Sequence, residues 1–161
     1  DVCSSDLKDL VASISALGGR AVGLSGCDGN LLEARLRDPE LGYVGDIERV
    51  DVSAVRAILA AGFIPVISPV GIGRDASGQV CLMNINADTA AGEIAAAFGA
   101  GELVFMTDVA GVLDGAGQLV ERLSPSAAEA LIASGTASGG MIPKLEACVR
   151  AAISEIGRVH V

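Results

Sequence analysis

The sequence is poor in aromatic residues: its 161 residues include no tryptophan, one tyrosine and three phenylalanines. This scarcity disfavours a nucleic-acid binder that stacks bases on aromatic rings. Small and aliphatic residues must fill the interior instead, and hydrophobic residues make up 51% of the chain. A single, tightly layered α/β domain suits such a composition.

Basic residues are also few. The chain has 11 Lys and Arg residues against 20 Asp and Glu residues, and its net charge is −9. Nucleic acids and anionic membranes are repelled by such a charge, so neither is expected as a partner. No apolar run reaches the length of a membrane span and no secretory leader is recognisable, so a soluble, cytoplasmic protein is predicted.

Metal-binding and nucleophilic motifs are missing as well. The four cysteines, Cys3, Cys27, Cys81 and Cys148, form no C-x-x-C pair, and His160 is the one histidine. A zinc site or a Cys–His catalytic pair is therefore not indicated, and free thiols are expected. The Walker A lysine motif is absent too, so any kinase here does not belong to the P-loop class.

Two glycine motifs resemble known binding motifs, but their surroundings do not fit. Residues 71–76, Gly-Ile-Gly-Arg-Asp-Ala, match a relaxed dinucleotide fingerprint, yet a turn and a strand are predicted after them. That fingerprint must open a helix, because the pyrophosphate binds at the helix N-terminus. Residues 23–27, Gly-Leu-Ser-Gly-Cys, are one residue short of a nucleophile elbow. Neither a dinucleotide-binding nor a hydrolase function is favoured.

Helical and strand patterns alternate along the chain. The predicted helices are 7–17, 51 or 53 to 60, 87–98, 125–132 and 143–156. The predicted strands are 21–24, 31–37, 43–50, 63–70, the two arms of a hairpin within 71–84, 102–106 and 158–161. This alternation predicts an α/β fold, in which a mainly parallel open sheet forms the middle of three α/β/α layers.

Amides and a carboxylate surround the start of the third predicted helix. Asn86 can cap that helix with its side-chain oxygen, and Asp88 in the first turn is favoured by the helix dipole. Asn84, two residues before the cap, has no capping role. The segment is typical either of a well-capped helix or of a phosphoryl-transfer site at a strand end, and both interpretations stay open.

A lysine stands near the start of the last predicted helix. Pro143 suits the first helical position, which puts Lys144 in the first turn, after Gly139 and Gly140. A cation there opposes the helix dipole at a cost of about 0.3–1 kcal/mol. The ammonium and the backbone N–H groups of the glycines would together attract a phosphate. The alternative is an exposed lysine whose small cost is tolerated.

Five segments together carry a resemblance to a known family. They are Gly23-Leu24-Ser25-Gly26-Cys27-Asp28-Gly29, Ala61-Gly62-Phe63-Ile64-Pro65-Val66-Ile67, Asn84-Ile85-Asn86-Ala87-Asp88-Thr89-Ala90-Ala91, Thr107-Asp108-Val109-Ala110-Gly111-Val112-Leu113-Asp114 and Gly139-Gly140-Met141-Ile142-Pro143-Lys144. Their order resembles the amino acid kinase family, and within it the acetylglutamate kinases. The resemblance runs from about residue 8 to residue 161. The third and fifth segments distinguish this branch from aspartate, carbamate and uridylate kinases.

The resemblance implies ATP-dependent phosphorylation of the side-chain carboxylate of N-acetyl-L-glutamate, a step of arginine biosynthesis. Asn84 would contact the substrate, Asp88 would organise the catalytic lysines, and Lys144 would stabilise charge on the transferring phosphoryl group. Mg²⁺ would arrive with ATP rather than bind in a cage of protein carboxylates. The implied nucleotide-binding residues are Asp108, Val109, Ala110, Gly111, Val112, Leu113, Thr136, Ala137 and Ser138.

The chain departs from the family pattern at its ends. The strand with the second catalytic lysine, the glycine loop for the substrate and the arginine for its α-carboxylate are absent. We therefore expect a fragment with little kinase activity of its own, cut from a homo-oligomeric protein. Residues 1–7 resemble translated adapter sequence and are predicted to be a non-native leader, and residues 8–161 a kinase domain with its nucleotide-binding portion and part of the substrate lobe.

The roles of two positions and the choice of function stay open. Cys27 stands where many family members carry lysine. His160 matches the start of an arginine-feedback site, although an ordinary strand-end histidine is the favoured interpretation. The alternative functions are a kinase for carrier-protein-linked aminoadipate or glutamate in lysine biosynthesis, and a non-catalytic regulatory domain that binds nucleotide.

Overall fold

Helices and strands alternate along the computed structural model, which describes residues 2–153 and 158–161. The helices are α1 (Val2–Ala16), α2 (Ser53–Ala60), α3 (Ala87–Phe98), α4 (Pro125–Ala133) and α5 (Met141–Ile153). The strands are β1 (Ala21–Ser25), β2 (Leu32–Leu36), β3 (Gly45–Val50), β4 (Ile64–Ser68), β5 (Val70–Arg74), β6 (Val80–Asn84), β7 (Glu102–Val104) and β8 (Arg158–His160). The predicted α/β class is confirmed. The observed bounds of α2 and α3 agree with the predicted ones.

The chain divides into two compact units, Asp1–Ala90 and Ala91–Val161. In the first unit β1 pairs with β4 in parallel, and a four-stranded sheet has the order β3-β2-β5-β6. In the second unit β7 pairs with β8 in parallel. Three of the five pairings among the described strands are parallel, and the hairpins β2–β3 and β5–β6 supply the antiparallel ones. The expectation of a mainly parallel arrangement is confirmed.

The predicted strand 63–70 is wrong in one respect, because the structure divides it into β4 and β5. Pro69 separates them, and a proline has no N–H to donate to a strand ladder. The chain changes sheets at this point: Ser68 accepts a hydrogen bond from the N–H of Gly26, and Pro69 accepts one from Ile85, both at 3.0 Å. The predicted strand 102–106 is likewise shorter, ending at Val104.

The four-stranded sheet curls until its two edges meet. Val44, just before β3, forms a bridge with Asn84 at the end of β6, and the N–H of Asn84 donates to the carbonyl of Tyr43 at 2.8 Å. Leu32 and Met83 are fully buried. The closure fixes Asn84 at the seam of the curled sheet.

Close packing between β2 and β5 explains the two glycines of the fingerprint-like motif. A Cβ added to Gly71 would lie 2.8 Å from the carbonyl oxygen of Leu32, and one added to Gly73 would lie still closer to the carbonyl oxygen of Ala34. Both glycines lie in a strand rather than at the start of a helix. The strand context predicted for this motif is therefore confirmed, and the glycines serve packing.

Replacing Gly73 with alanine is expected to destabilise the first unit by about 1–3 kcal/mol, because the new methyl group would press on a backbone carbonyl and on the sulfur of Met83. The midpoint of urea denaturation, followed by circular dichroism, measures the change. Gly101→Ala is the matched control, since an added Cβ there has no atom within 4 Å. Equal midpoints for the two variants would contradict the packing argument.

Small residues build the interior of the second unit. Ala95 and Ala151 form one buried cluster with the partly buried Leu103 and Val159 of the β7–β8 pair. A Cβ added to Gly92 of α3 would lie 3.2 Å from the Cβ of Ala147 in α5, so the two helices approach closely. This interior matches the composition, in which alanine and glycine replace aromatic rings. No helix within residues 2–153 is both long and apolar enough for a membrane crossing.

Candidate functional site

The helix that carries Lys144 starts earlier than predicted. It begins at Met141, so Pro143 is its third residue and not its first, and Lys144 is its fourth. The N–H groups of Met141 and Ile142 donate to the carbonyls of Ser138 and Gly139 at 3.2 and 3.3 Å, which extends the turn backwards. Pro143 is tolerated there because the first N–H groups of a helix have no acceptor within it. Lys144 still lies in the first turn, as predicted.

The Lys144 side chain is half-buried and reaches an aromatic ring. Its Nζ lies 5.9 Å from the ring centroid of Phe105, whose side chain is 7% exposed. Phe105 directly follows β7, and its N–H donates to the carbonyl of His160 in β8 at 2.8 Å. The ammonium is therefore held at the end of β7, where the loop 107–114 begins.

The loop 107–114 has a fixed base and an exposed rim. The N–H of Val120 donates to the carbonyl of Val112 at 2.8 Å, and Val112 is buried. Gly111 has a φ of +142°, and an added Cβ would lie 2.9 Å from Leu119. Exposed residues of the loop are available to a ligand, and those predicted to bind nucleotide are Asp108, Val109, Ala110 and Leu113.

The segment 136–138 after α4 likewise combines a buried residue with exposed neighbours. The N–H of Ala137 donates to the carbonyl of Leu131 at 3.0 Å, and the Ala137 side chain is buried. Thr136 and Ser138 on either side are exposed, and the Thr136 hydroxyl lies 2.9 Å from that of Ser134. Two hydroxyl groups thus flank a buried anchor.

One buried cluster joins these segments to the helix of Lys144. Val112 from the loop, Ala137 from the segment after α4 and Leu145 from α5 belong to it. Ala128 and Val149 complete its buried members. Because Leu145 directly follows Lys144, the cluster ties the predicted catalytic lysine to both predicted nucleotide-binding segments within the second unit.

Asn84 and Asp88 lie in the first unit. The side chain of Asn86 accepts a hydrogen bond from the N–H of Thr89 at 3.0 Å, so the predicted cap of α3 is confirmed. Asp88 is the second residue of α3 and is partly buried, and Asn84 is exposed at the end of β6. The structure thus assigns the capping role to Asn86 and leaves the exposed amide of Asn84 without one.

Replacing Asn86 with alanine is expected to lower the free energy of unfolding by about 1 kcal/mol, since the N–H of Thr89 loses its side-chain acceptor. Asn86→Asp keeps an acceptor oxygen at the same place and is the matched control. Thermal melting of both variants measures the difference. A loss of the same size in both would show that the cap does not stabilise α3.

Other polar groups singled out in the sequence have structural surroundings of their own. Burial raises the pKa of the Cys27 thiol, and the charge of Asp28 raises it further, so the thiol stays protonated at neutral pH. His160 Nε2 lies 2.8 Å from a carboxylate oxygen of Glu102 across the β7–β8 pair. Among the described residues, no three His, Cys, Asp or Glu side chains form a group that could hold a metal ion.

Phe105 is a neighbour of the site that the sequence did not predict. A signal existed: it is one of four aromatic residues and stands at the junction of a strand with the predicted nucleotide loop. Its contact with Lys144 joins residues that are far apart in the chain, so no local pattern could predict it.

The chain belongs to the amino acid kinase family, whose model matches residues 1–161. It is 48% identical over 164 residues to the acetylglutamate kinase of Acidiphilium cryptum (strain JF-5), covering 93% of this chain and 54% of that protein. It is 51% identical over 157 residues to the acetylglutamate kinase of Rhodospirillum centenum, covering 89% of this chain and 50% of that protein. The predicted resemblance is confirmed. The chain spans about half the length of the curated relatives it matches.

Solved structures agree on the fold. The smu.665 protein of Streptococcus mutans superposes with a TM-score of 0.82 at 28% identity, over 97% of this chain and 64% of that one. The N-acetylglutamate synthase of Neisseria gonorrhoeae, complexed with coenzyme A and L-arginine, gives a TM-score of 0.70 at 28% identity. The match covers 88% of this chain and 32% of that one. Carbamate kinase from Giardia lamblia bound to AMP-PNP gives a TM-score of 0.64 at 14% identity, over 96% of this chain and 60% of that one. This likeness shows the shared fold alone.

Proposed function

We propose that this chain is the nucleotide-binding portion of an acetylglutamate kinase, together with one edge of its amino-acid site. The observation that carries the proposal is the buried cluster that ties Lys144 to the two predicted nucleotide-binding segments. Identities of 48% and 51% to two acetylglutamate kinases support the choice of substrate over other members of the family.

The proposed reaction moves one phosphoryl group. A side-chain carboxylate oxygen of N-acetyl-L-glutamate attacks the γ-phosphorus of ATP, and the bond from that phosphorus to the β–γ bridging oxygen breaks. ADP is the leaving group, and the product is an acyl phosphate. Such a reaction needs positioning and charge neutralisation more than covalent chemistry. Lys144, on the first turn of α5, supplies a positive charge for the transferring group. Mg²⁺ is proposed to arrive bound to the ATP phosphates.

The nucleotide would bind along the exposed rims of the two segments. Val109 and Leu113 are 50% and 48% exposed and offer apolar surface for a purine ring. Thr136 and Ser138 offer hydroxyl groups, and the loop offers backbone N–H groups. An adenine nucleotide combines an apolar base with many acceptor oxygens, so these groups fit it.

Asn84 and Asp88 are proposed to serve the amino-acid side of the site. The Asn84 amide is exposed and can both donate to a substrate carboxylate and accept from its acetamido N–H. Asp88 would orient lysine ammonium groups through its carboxylate. Its place in the first turn of α3 suits a negative charge, because the positive end of the helix dipole lies there.

A hydroxamate assay for acyl phosphate tests the proposal. The full open reading frame of the gene and the 161-residue chain are each incubated with ATP, Mg²⁺ and N-acetyl-L-glutamate, and hydroxylamine traps the product. We expect acyl phosphate from the full open reading frame and little from the chain alone. Free L-glutamate is the control acceptor and is expected to react far more slowly. Activity only toward a carrier-linked aminoadipate or glutamate, or nucleotide binding without turnover, would replace the proposal by one of the two alternatives.

A further inference from the structure

We propose that Phe105 is a positioning residue, whose ring holds the ammonium group of Lys144 in place for phosphoryl transfer. This inference rests on the proposed function of Lys144. Its basis is the 5.9 Å distance between Lys144 Nζ and the ring centroid, with the ring almost fully buried and the lysine half-buried.

The distance allows an electrostatic attraction. A cation within about 6 Å of an aromatic ring centroid is drawn to the negative face of the ring, and more strongly when water is partly excluded. A ring attracts the ammonium without adding a net charge of its own, so this contact does not compete with a phosphoryl group for the positive charge.

The ring itself is well fixed. The N–H of Phe105 donates to His160 in the neighbouring strand, and the side chain is 7% exposed. Lys144 sits on α5, which Leu145 anchors in the buried cluster. Both ends of the contact therefore have rigid supports, whereas the lysine side chain between them has four rotatable bonds. Limiting that freedom before the substrate binds is what a positioning residue contributes.

The small number of lysines makes the contact directly measurable in the chain. Lys8 and Lys144 are its two lysines, so reductive methylation with ¹³C-formaldehyde gives two lysine signals besides that of the α-amine. Lys8→Arg and Lys144→Arg variants assign them. We expect the Lys144 signal to show an upfield ring-current shift that Phe105→Leu abolishes and Phe105→Tyr retains. Phe63→Leu is the matched control, because it removes the ring beside Arg20 and should leave the Lys144 signal unchanged.

A thermal melt of each variant separates loss of the ring from loss of the fold. An unchanged Lys144 signal in a folded Phe105→Leu variant would overturn the ring contact. If that variant does not fold, the Phe105→Tyr variant decides, since a tyrosine ring that fails to shift the Lys144 signal would overturn the contact as well. These measurements need no kinase activity, so their outcome is independent of whether the proposed function is correct.

Kinetics of the full open reading frame tests the consequence. Phe105→Leu is expected to lower kcat by about 2- to 30-fold, the effect of losing a cation–π attraction from the transition state. KM for ATP is expected to change much less, and Phe105→Tyr is expected to restore kcat. A merely structural role would lower the melting temperature without this split between kcat and KM. Unchanged kcat in an active, folded Phe105→Leu enzyme would overturn the positioning role.

Discussion

Replacing Lys144 with alanine is expected to lower kcat for acyl phosphate formation by about 10²–10³-fold, the usual effect of removing one group that stabilises developing transition-state charge. The affinity for ATP should change far less, because the two segments around Val112 and Ala137 keep their anchor in the buried cluster. In the proposed reaction the ammonium acts most strongly on the phosphoryl group in transit, so its loss would raise the barrier more than it weakens ground-state binding.

Steady-state kinetics of the full open reading frame and equilibrium binding of ATP measure the two quantities separately. Lys8→Ala is the matched control: it removes the other lysine of the chain, which is exposed on α1, and should leave kcat unchanged. Lys144→Arg keeps the charge but changes its shape and reach, and is expected to recover only part of the activity. If Lys144→Ala weakened ATP binding as much as it lowered kcat, Lys144 would be a simple binding residue.

Features fixed by neighbouring residues were predictable from the sequence. Asn86 caps α3, and Ser124 caps α4 by accepting from the N–H of Ala127 at 3.2 Å. Gly62, with a φ of +77°, follows the end of α2 as expected for a helix terminator. In each case the hydrogen bond or the backbone angle involves residues within a few positions of one another, so the sequence contains the whole cause.

Features that depend on distant residues were not predictable in the same way. Pro69 interrupts the apolar run 63–70, but the sequence does not show that the two parts pair with different strands, which depends on the distant partners of β4 and β5. The bridge between Val44 and Asn84 likewise depends on the curl of a whole sheet. The start of α5 was misplaced because Pro143 fits any position in the first turn, and the turn at Ser138 and Gly139 selected the earlier one.

The candidate site shows the same division. Sequence motifs identified Lys144, the loop 107–114 and the segment 136–138 as separate pieces with a shared chemistry. What joins them is the packing of apolar side chains between the motifs, and apolar residues look alike in a sequence. Leu145 illustrates this: its neighbour Lys144 is conspicuous by its charge, but the leucine packs with the two segments that are proposed to bind nucleotide.

Replacing Leu145 with alanine is therefore expected to destabilise the second unit by about 2–5 kcal/mol, the range for a fully buried leucine. Leu145 is 2% exposed and packs with Val112 and Ala137, so the cavity opens among the anchors of both proposed nucleotide-binding segments. Urea denaturation of the chain measures the loss. Glu146→Ala, at the next and exposed position of α5, is the matched control and should change stability by less than about 0.5 kcal/mol.

The Leu145→Ala substitution also tests whether Leu145 anchors the two segments or only fills the core. Ala95 and Ala151 lie in a separate buried cluster of the second unit, so Ala151→Gly weakens the core without touching the anchors. At a temperature where both variants remain folded, Leu145→Ala should weaken ATP binding while Ala151→Gly should not. Equal ATP affinities in the two variants would mean that the segments keep their geometry without the cluster. Weaker binding only in Leu145→Ala would mean that the residue beside the proposed catalytic lysine also holds the proposed nucleotide-binding segments in place.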